Sequence, residues 1–535
     1  MKFKKCNLKL SKKNKIRNLF CGYNTLKLNN KLGLIDEIRF ELSNTKLFNQ
    51  KGMNGFNKLY FKNVNIEVSA RQYLLQHFIN QSLNKEILYY FSNQKKSICY
   101  PIPIIWQKVL EQKGIKVNNF LSTIFWYYEV FKLLIRAILE LFSQTSKSII
   151  DNKNINRSQN EKYIHFESLD KNNIPNLDGF YDFGIFTWYL KNYTDNELDY
   201  LSHSVKGKMN IYINNINIRF KNSQFSSPIS LKALMIFFYK SVLMILNSFI
   251  KLLVGKWWFA LLSKEILLSY VVEINKDKGL GKHYLFNNSS SIYRPIWTYS
   301  AEKFGAKISF YFYSTNNERF KQKNTYPKVA NFWHLTTWPE YLVWDIFQKN
   351  FIDTAIGSID KTLIVGPIYF QCSNKSIELP TNTFAVFDVQ PVRHSFYVIL
   401  GLDQEYYIPK IANQFLNDIT EVLNSTKYKI AIKKKREIGK LAHLSYINNF
   451  KRLINNNNII NIDSDIPAES FIKDTKGVIS MPFTSTAIIA HKLGKPSIYY
   501  DPSGLIEKDD RAAHGIPIIN NKSELLNWIN SFSTN

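Results

Sequence analysis

Cysteine is scarce in this chain of 535 residues: Cys6, Cys21, Cys99 and Cys372 are scattered, with no Cys-x-x-Cys pair. That argues against a disulfide framework or a structural zinc site. Acidic residues are short too, 42 Asp+Glu against 70 Lys+Arg, leaving a formal net charge of +28. Such an excess favours polyanionic partners: nucleic acid, anionic lipid headgroups or phosphorylated substrates. Much of the lysine travels with abundant Asn and Ile, a combination that also fits an AT-rich genome. Residues 1–20 are basic and polar without an apolar core. No secretory signal is therefore expected, and a reducing cytoplasmic location is the default. Internal repeats are missing, as are zinc-finger, helix-turn-helix and RNP-like patterns. Their absence counts against the alternative of a basic nucleic-acid-binding protein.

What the chain does have is apolar material: 45% hydrophobic and 15% aromatic residues. This composition belongs to a folded protein, and the length calls for more than one domain. Two stretches stand out, 120–142 (FLSTIFWYYEVFKLLIRAILELF) and 233–255 (ALMIFFYKSVLMILNSFIKLLVG). The second approaches spanning length, yet Lys240, Asn247 and Lys251 interrupt it at spacings that share one helical face. These spacings predict an amphipathic helix lying in a membrane interface, with Trp257 and Trp258 at headgroup depth. The first stretch, broken by Glu129, Lys132, Arg136 and Glu140, fits a second such helix and a buried inter-helix core equally well. The positive charge would favour an anionic inner leaflet.

Further on, strand and helix signals alternate. Residues 1–370 are expected to form an N-terminal α/β domain carrying the apolar helices, and 371–382 a linker. Residues 383–535 then form a parallel, Rossmann-type sheet. Strands are expected at 284–286, 307–313, 361–365, 384–389, 428–433, 459–462, 477–481 and 497–500.

Residues 477–500 carry the sharpest signal. An apolar run enters Pro482-Phe483-Thr484-Ser485-Thr486, a helical run follows, and Gly494-Lys495-Pro496 turns into a second apolar run. This is a βαβ unit with hydroxyl residues where the helix starts. Free N–H groups and the positive dipole end there suit a phosphate, although Ser and Thr are also ordinary helix caps. In open α/β sheets ligands bind beyond the carboxyl ends of strands. Two more such ends are chemically equipped: Asp388 to His394, with Arg393, and the cation run Lys433-Lys434-Lys435-Arg436. Asp463-Ser464-Asp465 has a spacing that can clamp a divalent ion. It directly precedes Ile466-Pro467-Ala468-Glu469, a plain helix start, so no metal site is expected there.

The pieces YRPIWTYSAEKFGA (293–306), YFYSTN (311–316), FDVQPVR (387–393), KKKRE (433–437) and VISMPFTSTAIIAHKLGKPSIYYDPSG (478–504) resemble bacterial polysaccharide-biosynthesis proteins defined by a PFTS motif. The last piece is more distantly similar to the donor-binding half of GT-B glycosyltransferases. The resemblance implies two Rossmann-type domains facing a cleft, and sugar transfer from a nucleotide-activated donor to a growing surface polysaccharide of O-antigen or capsule type. No cofactor or metal is implied. A polyol-phosphate transferase on the same scaffold is the rival reading. Arg393, Lys434, Lys435, Arg436, Pro482, Thr484, Ser485 and Thr486 would hold the donor phosphates. Asp388 and Glu302 are the candidate general bases, and Asn287 and Arg294 would hold substrate oxygens. Many GT-B donor domains carry a ribose-binding Glu five residues before the Gly of Gly-x-Pro; here that position is Ile489.

Overall fold

Strands covered on both faces read as continuous apolar runs rather than alternating ones. Residues Thr383–Phe387 (TFAVF), Gly477–Ser480 (GVIS) and Ser497–Tyr500 (SIYY) are such runs, buried at every position. The computed structural model describes residues 12–60, 64–92, 96–153, 161–169, 174, 184–193, 198–206, 211–213, 215–221, 223–225, 230–277, 279–288, 293–315, 318, 320–321, 325–326, 332–357, 361–370, 377–400, 406–434, 439, 441–464 and 466–532.

Fourteen strands are described: β1 Tyr163–Phe166, β2 Tyr200–His203, β3 Ile211–Ile213, β4 Ile216–Phe220, β5 His283–Asn287, β6 Lys307–Tyr311, β7 Tyr341–Val343, β8 Thr362–Ile364, β9 Thr383–Phe387, β10 Lys429–Lys433, β11 Ile459–Ile462, β12 Gly477–Ser480, β13 Ser497–Tyr500 and β14 Ile518–Ile519. The first sheet runs β3-β4-β2-β1-β5-β6-β7-β8, and the second runs β11-β10-β9-β12-β13-β14. All pairings are parallel except the β3–β4 hairpin. Counted from β9, the second sheet has the strand order 3-2-1-4-5-6, the doubly wound dinucleotide-fold order.

The carboxyl ends of the two sheets face each other. Lys321, beyond β6, pairs with Glu507 (2.9 Å) and Asp509 (2.6 Å), beyond β13. The Phe320 ring packs at a tilt against Phe483, beyond β12, with centroids 4.8 Å apart. His514 Nδ1 meets Asp345, beyond β7, at 2.8 Å.

A layer of seven described helices, from Lys12–Leu28 to Asn119–Lys153, packs on the first sheet. Its amphipathic helices turn one stripe inward, as in Leu34–Asn44, where Ile35, Ile38 and Leu42 are buried. Gly22, in helix Lys12–Leu28, sits against helix Gln81–Ser92. A Cβ there would lie 1.9 Å from the Leu88 carbonyl oxygen. The first of these helices also reaches the second domain, where Phe20 stacks on His394 at 5.6 Å.

The two apolar stretches form helices Asn119–Lys153 and Leu231–Leu253. Trp126, Val130, Leu134 and Leu141 are buried, whereas Phe120, Ile124, Phe131, Ile135, Leu139 and Phe142 are exposed along the opposite face. The second helix likewise exposes Leu231, Met235, Tyr239, Leu246, Ile250 and Leu253. Two of its polar residues turn toward neighbouring elements: Lys240 pairs with Glu273 at 3.0 Å, and Asn247 donates to Tyr60 Oη at 2.8 Å. By length and composition it could cross a bilayer. The expected headgroup position of the tryptophan pair does not hold. Trp257 is buried edge-on against Trp126 at 5.1 Å, and Trp258 stacks on Phe48 at 4.5 Å. Indole burial in a protein core competes with an interfacial position, and here the core wins.

Candidate functional site

Between β9 and β12 the chain connections leave in opposite directions, so the sheet opens a crevice there. Two chain segments line it, residues 388–393 after β9 and 481–486 after β12.

The second segment is tightly built. Phe483 has φ +61°, a left-handed conformation that a bulky residue holds only when its surroundings over-determine it. Those surroundings are the rings of Phe320 and Tyr499. Tyr407 Oη donates to the Pro482 carbonyl at 3.0 Å, and Tyr499 Oη donates to the Thr484 carbonyl at 2.9 Å. Helix Ser485–Lys492 follows, with Thr484 as its N-cap. The Thr484 hydroxyl does not cap the helix: it donates back to the Met481 carbonyl at 2.9 Å. Thr486 Oγ1 lies 3.0 Å from Ser480 Oγ and 3.2 Å from Thr484 Oγ1. The ordinary capping explanation for these hydroxyls therefore fails. The N-terminal N–H groups keep no side-chain acceptor from the cap, which leaves the positive helix end available to an anion.

The first segment is zipped to the exit of β10. Arg393 N–H donates to the Leu441 carbonyl at 2.7 Å, and His443 N–H to the Pro391 carbonyl at 2.9 Å. This brings Asp388, Arg393 and Lys434 to one sheet edge, with the Arg393 side chain exposed. Asp388 is 2% exposed and accepts a short hydrogen bond from Tyr446 Oη. Burial pushes its carboxyl up to about 6, opposed by the Tyr446 hydroxyl and the Lys434 ammonium. Lys435 and Arg436 lie outside the described residues.

A chain of phenols joins the two segments. Val392 N–H donates to Tyr397 Oη (3.1 Å), which donates to the Tyr407 carbonyl (2.8 Å), and Tyr407 Oη reaches Pro482. Sequence reading missed Tyr397, Tyr407 and Tyr446. Their only sequence signal is aromatic density near the two loops, which core packing explains equally well.

The first-domain candidates sit differently. Asn287 is 1% exposed and spends its amide on the carbonyls of Glu167 and Ser168 and on Tyr311 Oη, each at 3.2 Å. It fastens the exit of β1. Arg294 is buried and fully committed: to Thr298 Oγ1 (3.0 Å), the Thr337 carbonyl (2.7 Å), Glu302 (2.5 Å) and the Tyr299 ring. Glu302 lies in the last turn of helix Trp297–Lys303, near the start of β6, at the end of the sheet away from the cleft. Arg294 and Glu302 hold each other rather than facing the crevice.

Ile489 is 2% exposed on the inner face of its helix, so that position packs against the sheet. In the D-x-D segment, the Ser464 carbonyl accepts from Lys433 Nζ at 2.8 Å, and Asp465 lies outside the described residues. The N-cap of the following helix Ala468–Ile472 is Pro467, not an Asp.

Among solved structures, the wall teichoic acid polymerase TagF aligns at 12% identity over 76% of this chain and 89% of its own, with a TM-score of 0.38. TarM aligns at 13% identity over 50% of this chain and 51% of its own, with a TM-score of 0.28, so the chain spans about half of TarM. The UDP-GlcNAc 2-epimerase from Neisseria meningitidis, bound to UDP-GlcNAc, aligns at 11% identity over 70% of this chain and 91% of its own, with a TM-score of 0.34. No curated protein matches the sequence. The family profile described as "Polysaccharide biosynthesis PFTS motif protein" matches residues 231–529, which takes in helix Leu231–Leu253, the cleft-facing strands from β5 onward and the whole second sheet. The chain belongs to this family of polysaccharide-biosynthesis proteins.

Proposed function

We propose that this protein is a glycosyltransferase that moves a sugar from a nucleotide-activated donor to a growing surface polysaccharide at the inner face of a membrane. One observation carries the reading. The strained, phenol-braced PFTS turn and the Asp388–Arg393–Lys434 edge lie on the two sides of one switch point in a 3-2-1-4-5-6 sheet. The leaving group is a nucleotide phosphate whose negative charge grows as the glycosidic bond breaks. Cations and a helix N-terminus aimed at that charge stabilise the transition state. Arg393, Lys434 and the turn Thr484-Ser485-Thr486 fill this role without a divalent ion, so turnover is expected to survive chelation with EDTA.

Membrane attachment is supported by the uncovered apolar stripes of helices Asn119–Lys153 and Leu231–Leu253. Between them lies an apolar groove of about 360 Å³ lined by Thr145, Leu234, Met235, Phe238, Tyr239 and Val242. Monomers rarely leave so long an apolar surface in water.

The donor site is tested by calorimetry with CMP-, UDP- and GDP-sugars. Ser485→Ala combined with Arg393→Ala removes two phosphate contacts of roughly 1.5 kcal/mol each. The expected loss of affinity is therefore on the order of 100-fold. Unchanged affinity rules out the phosphate site. Stabilisation by CDP-polyols alone transfers the reading to a polyol-phosphate transferase, and binding of oligonucleotides alone removes both.

A further inference from the structure

The first sheet has its own switch point, between β1 and β5, and it opens into a cavity of about 330 Å³. Among the residues lining it are Glu167 and Glu265, with Arg136, Lys264, His77 and Tyr73. Glu167 is the first residue past β1, and Ser168 after it has φ +58°. Both switch points therefore carry a non-glycine residue in the left-handed region directly at the site, a form of strain that clusters at functional positions. Asn287 clamps the Glu167 and Ser168 carbonyls and so fixes where the Glu167 carboxyl stands.

The two glutamates differ in how far they are committed. Glu265 accepts from the Ile296 N–H at 3.0 Å, so it is tied to the backbone. Among the described residues Glu167 shows no Lys or Arg within ion-pair distance, and His165 Nε2 lies 3.7 Å from its Oε1. The tautomer of that histidine follows from its neighbours. Ser202 Oγ donates to the Ile164 carbonyl at 2.9 Å, so it must accept from His165 Nδ1–H, also at 2.9 Å. With Nδ1 protonated, Nε2 presents a lone pair toward Glu167. Burial holds the imidazole neutral, its ionisation depressed to about 3. A lone pair facing a carboxyl favours the protonated acid, and burial also raises Glu167 to about 7.

Resting on the glycosyltransferase reading above, we infer that Glu167 is the general base, that the acceptor hydroxyl enters this cavity, and that His165 positions the acid form. In the step, the acceptor oxygen bonds to the anomeric carbon as the bond from that carbon to phosphate breaks. The nucleotide phosphate leaves with the bonding electrons toward the PFTS turn. The acceptor proton passes to Glu167 Oε1, and the resulting acid turns its O–H onto His165 Nε2. The geometry allows this. β1 lies two strands from β6, roughly 10 Å away, and the chain leaving β6 touches the PFTS turn through Phe320.

The test combines two readouts on the full chain. Carboxyl NMR of protein labelled with carbon-13 glutamate needs no donor. The resonance lost in Glu167→Gln is expected to titrate near neutrality. Glu265, which burial also raises to about 7 and which shares the cavity with Arg136, Lys264, His77 and Tyr73, is told apart because its resonance persists in that variant. Titration in the ordinary range near 4.5 overturns the inference. His165→Asn keeps a donor for Ser202 and removes Nε2, so the midpoint should fall; an unmoved midpoint removes the positioning role. Turnover of whichever CMP-, UDP- or GDP-sugar binds is expected to drop on the order of 100-fold in Glu167→Gln, with donor Kd within about twofold. Retained turnover, or loss of donor binding as well, refutes the base. Failure of every donor to bind the unmodified protein removes the transferase reading, and that result is distinct from any NMR result.

Discussion

Replacing Tyr446 with Phe removes one oxygen, and its effect should depend on pH in a way that few alternatives reproduce. Asp388 is 2% exposed, its Oδ2 takes the Tyr446 hydrogen bond, and its Oδ1 is buried with no side-chain donor among the described residues. Its carboxyl is raised from 3.8 to about 6, principally by burial. For an acid raised on folding, the native state holds a proton that the unfolded chain has already released. The associated stability is full below the unfolded value and disappears as pH rises through the folded one. A shift of that size corresponds to about 3 kcal/mol lost between pH 4 and pH 6. Above that window the buried carboxylate relies on Tyr446, and a hydrogen bond to a charged group is worth about 1.5–3 kcal/mol against about 1 for a neutral pair. Tyr446→Phe should therefore cost about 1 kcal/mol at pH 4.5 and two to three times as much at pH 8. Urea titrations of both proteins at the two pH values measure this directly. An equal cost at both would show that Asp388 is not a buried carboxylate held by that phenol. A variant cost larger at low pH would reverse the sign and refute the argument outright.

Two further outcomes are expected. Gly22→Ala forces a methyl group into the Leu88 carbonyl. It should cost about 3 kcal/mol or more by separating helix Lys12–Leu28 from Gln81–Ser92; a change in melting temperature below about 2 °C would contradict that close approach. Phe131→Asp with Ile135→Asp places two charges on the exposed apolar stripe without touching the core. It should abolish co-sedimentation with anionic vesicles and leave nucleotide binding intact, whereas unchanged pelleting would remove the interfacial role of that helix.

The second domain was readable because its strands are apolar on both faces and its helices have a clean period. β9 to β13 fall within a residue or two of the expected runs. β1 to β4 went unread: YIHF and YLSH carry histidine and serine, INIRF carries asparagine and arginine, IYI has only three residues, and all lie among polar residues whose hydropathy resembles loops. Without them the first sheet has no switch point, and Glu167 is one glutamate among many. His165 and Ser202 illustrate the difficulty, since 37 residues separate two side chains that meet across neighbouring strands. The exposure of the apolar helices was anticipated, but not the turn of Lys240 and Asn247 toward neighbouring elements, because a helical face has no fixed sense until a partner such as Glu273 is known.

Sequence alone determined the βαβ unit around Pro482–Thr486, the scarcity of acidic groups and the apolar runs, since each depends on residues close in the chain. Tertiary structure decided which strand ends are neighbours. That order depends on right-handed crossovers stacking over long separations. It placed Asp388 beside Lys434, tied Tyr397 through Tyr407 to Pro482, set Phe320 against Phe483, and separated Arg294 and Glu302 from the crevice they had been expected to line.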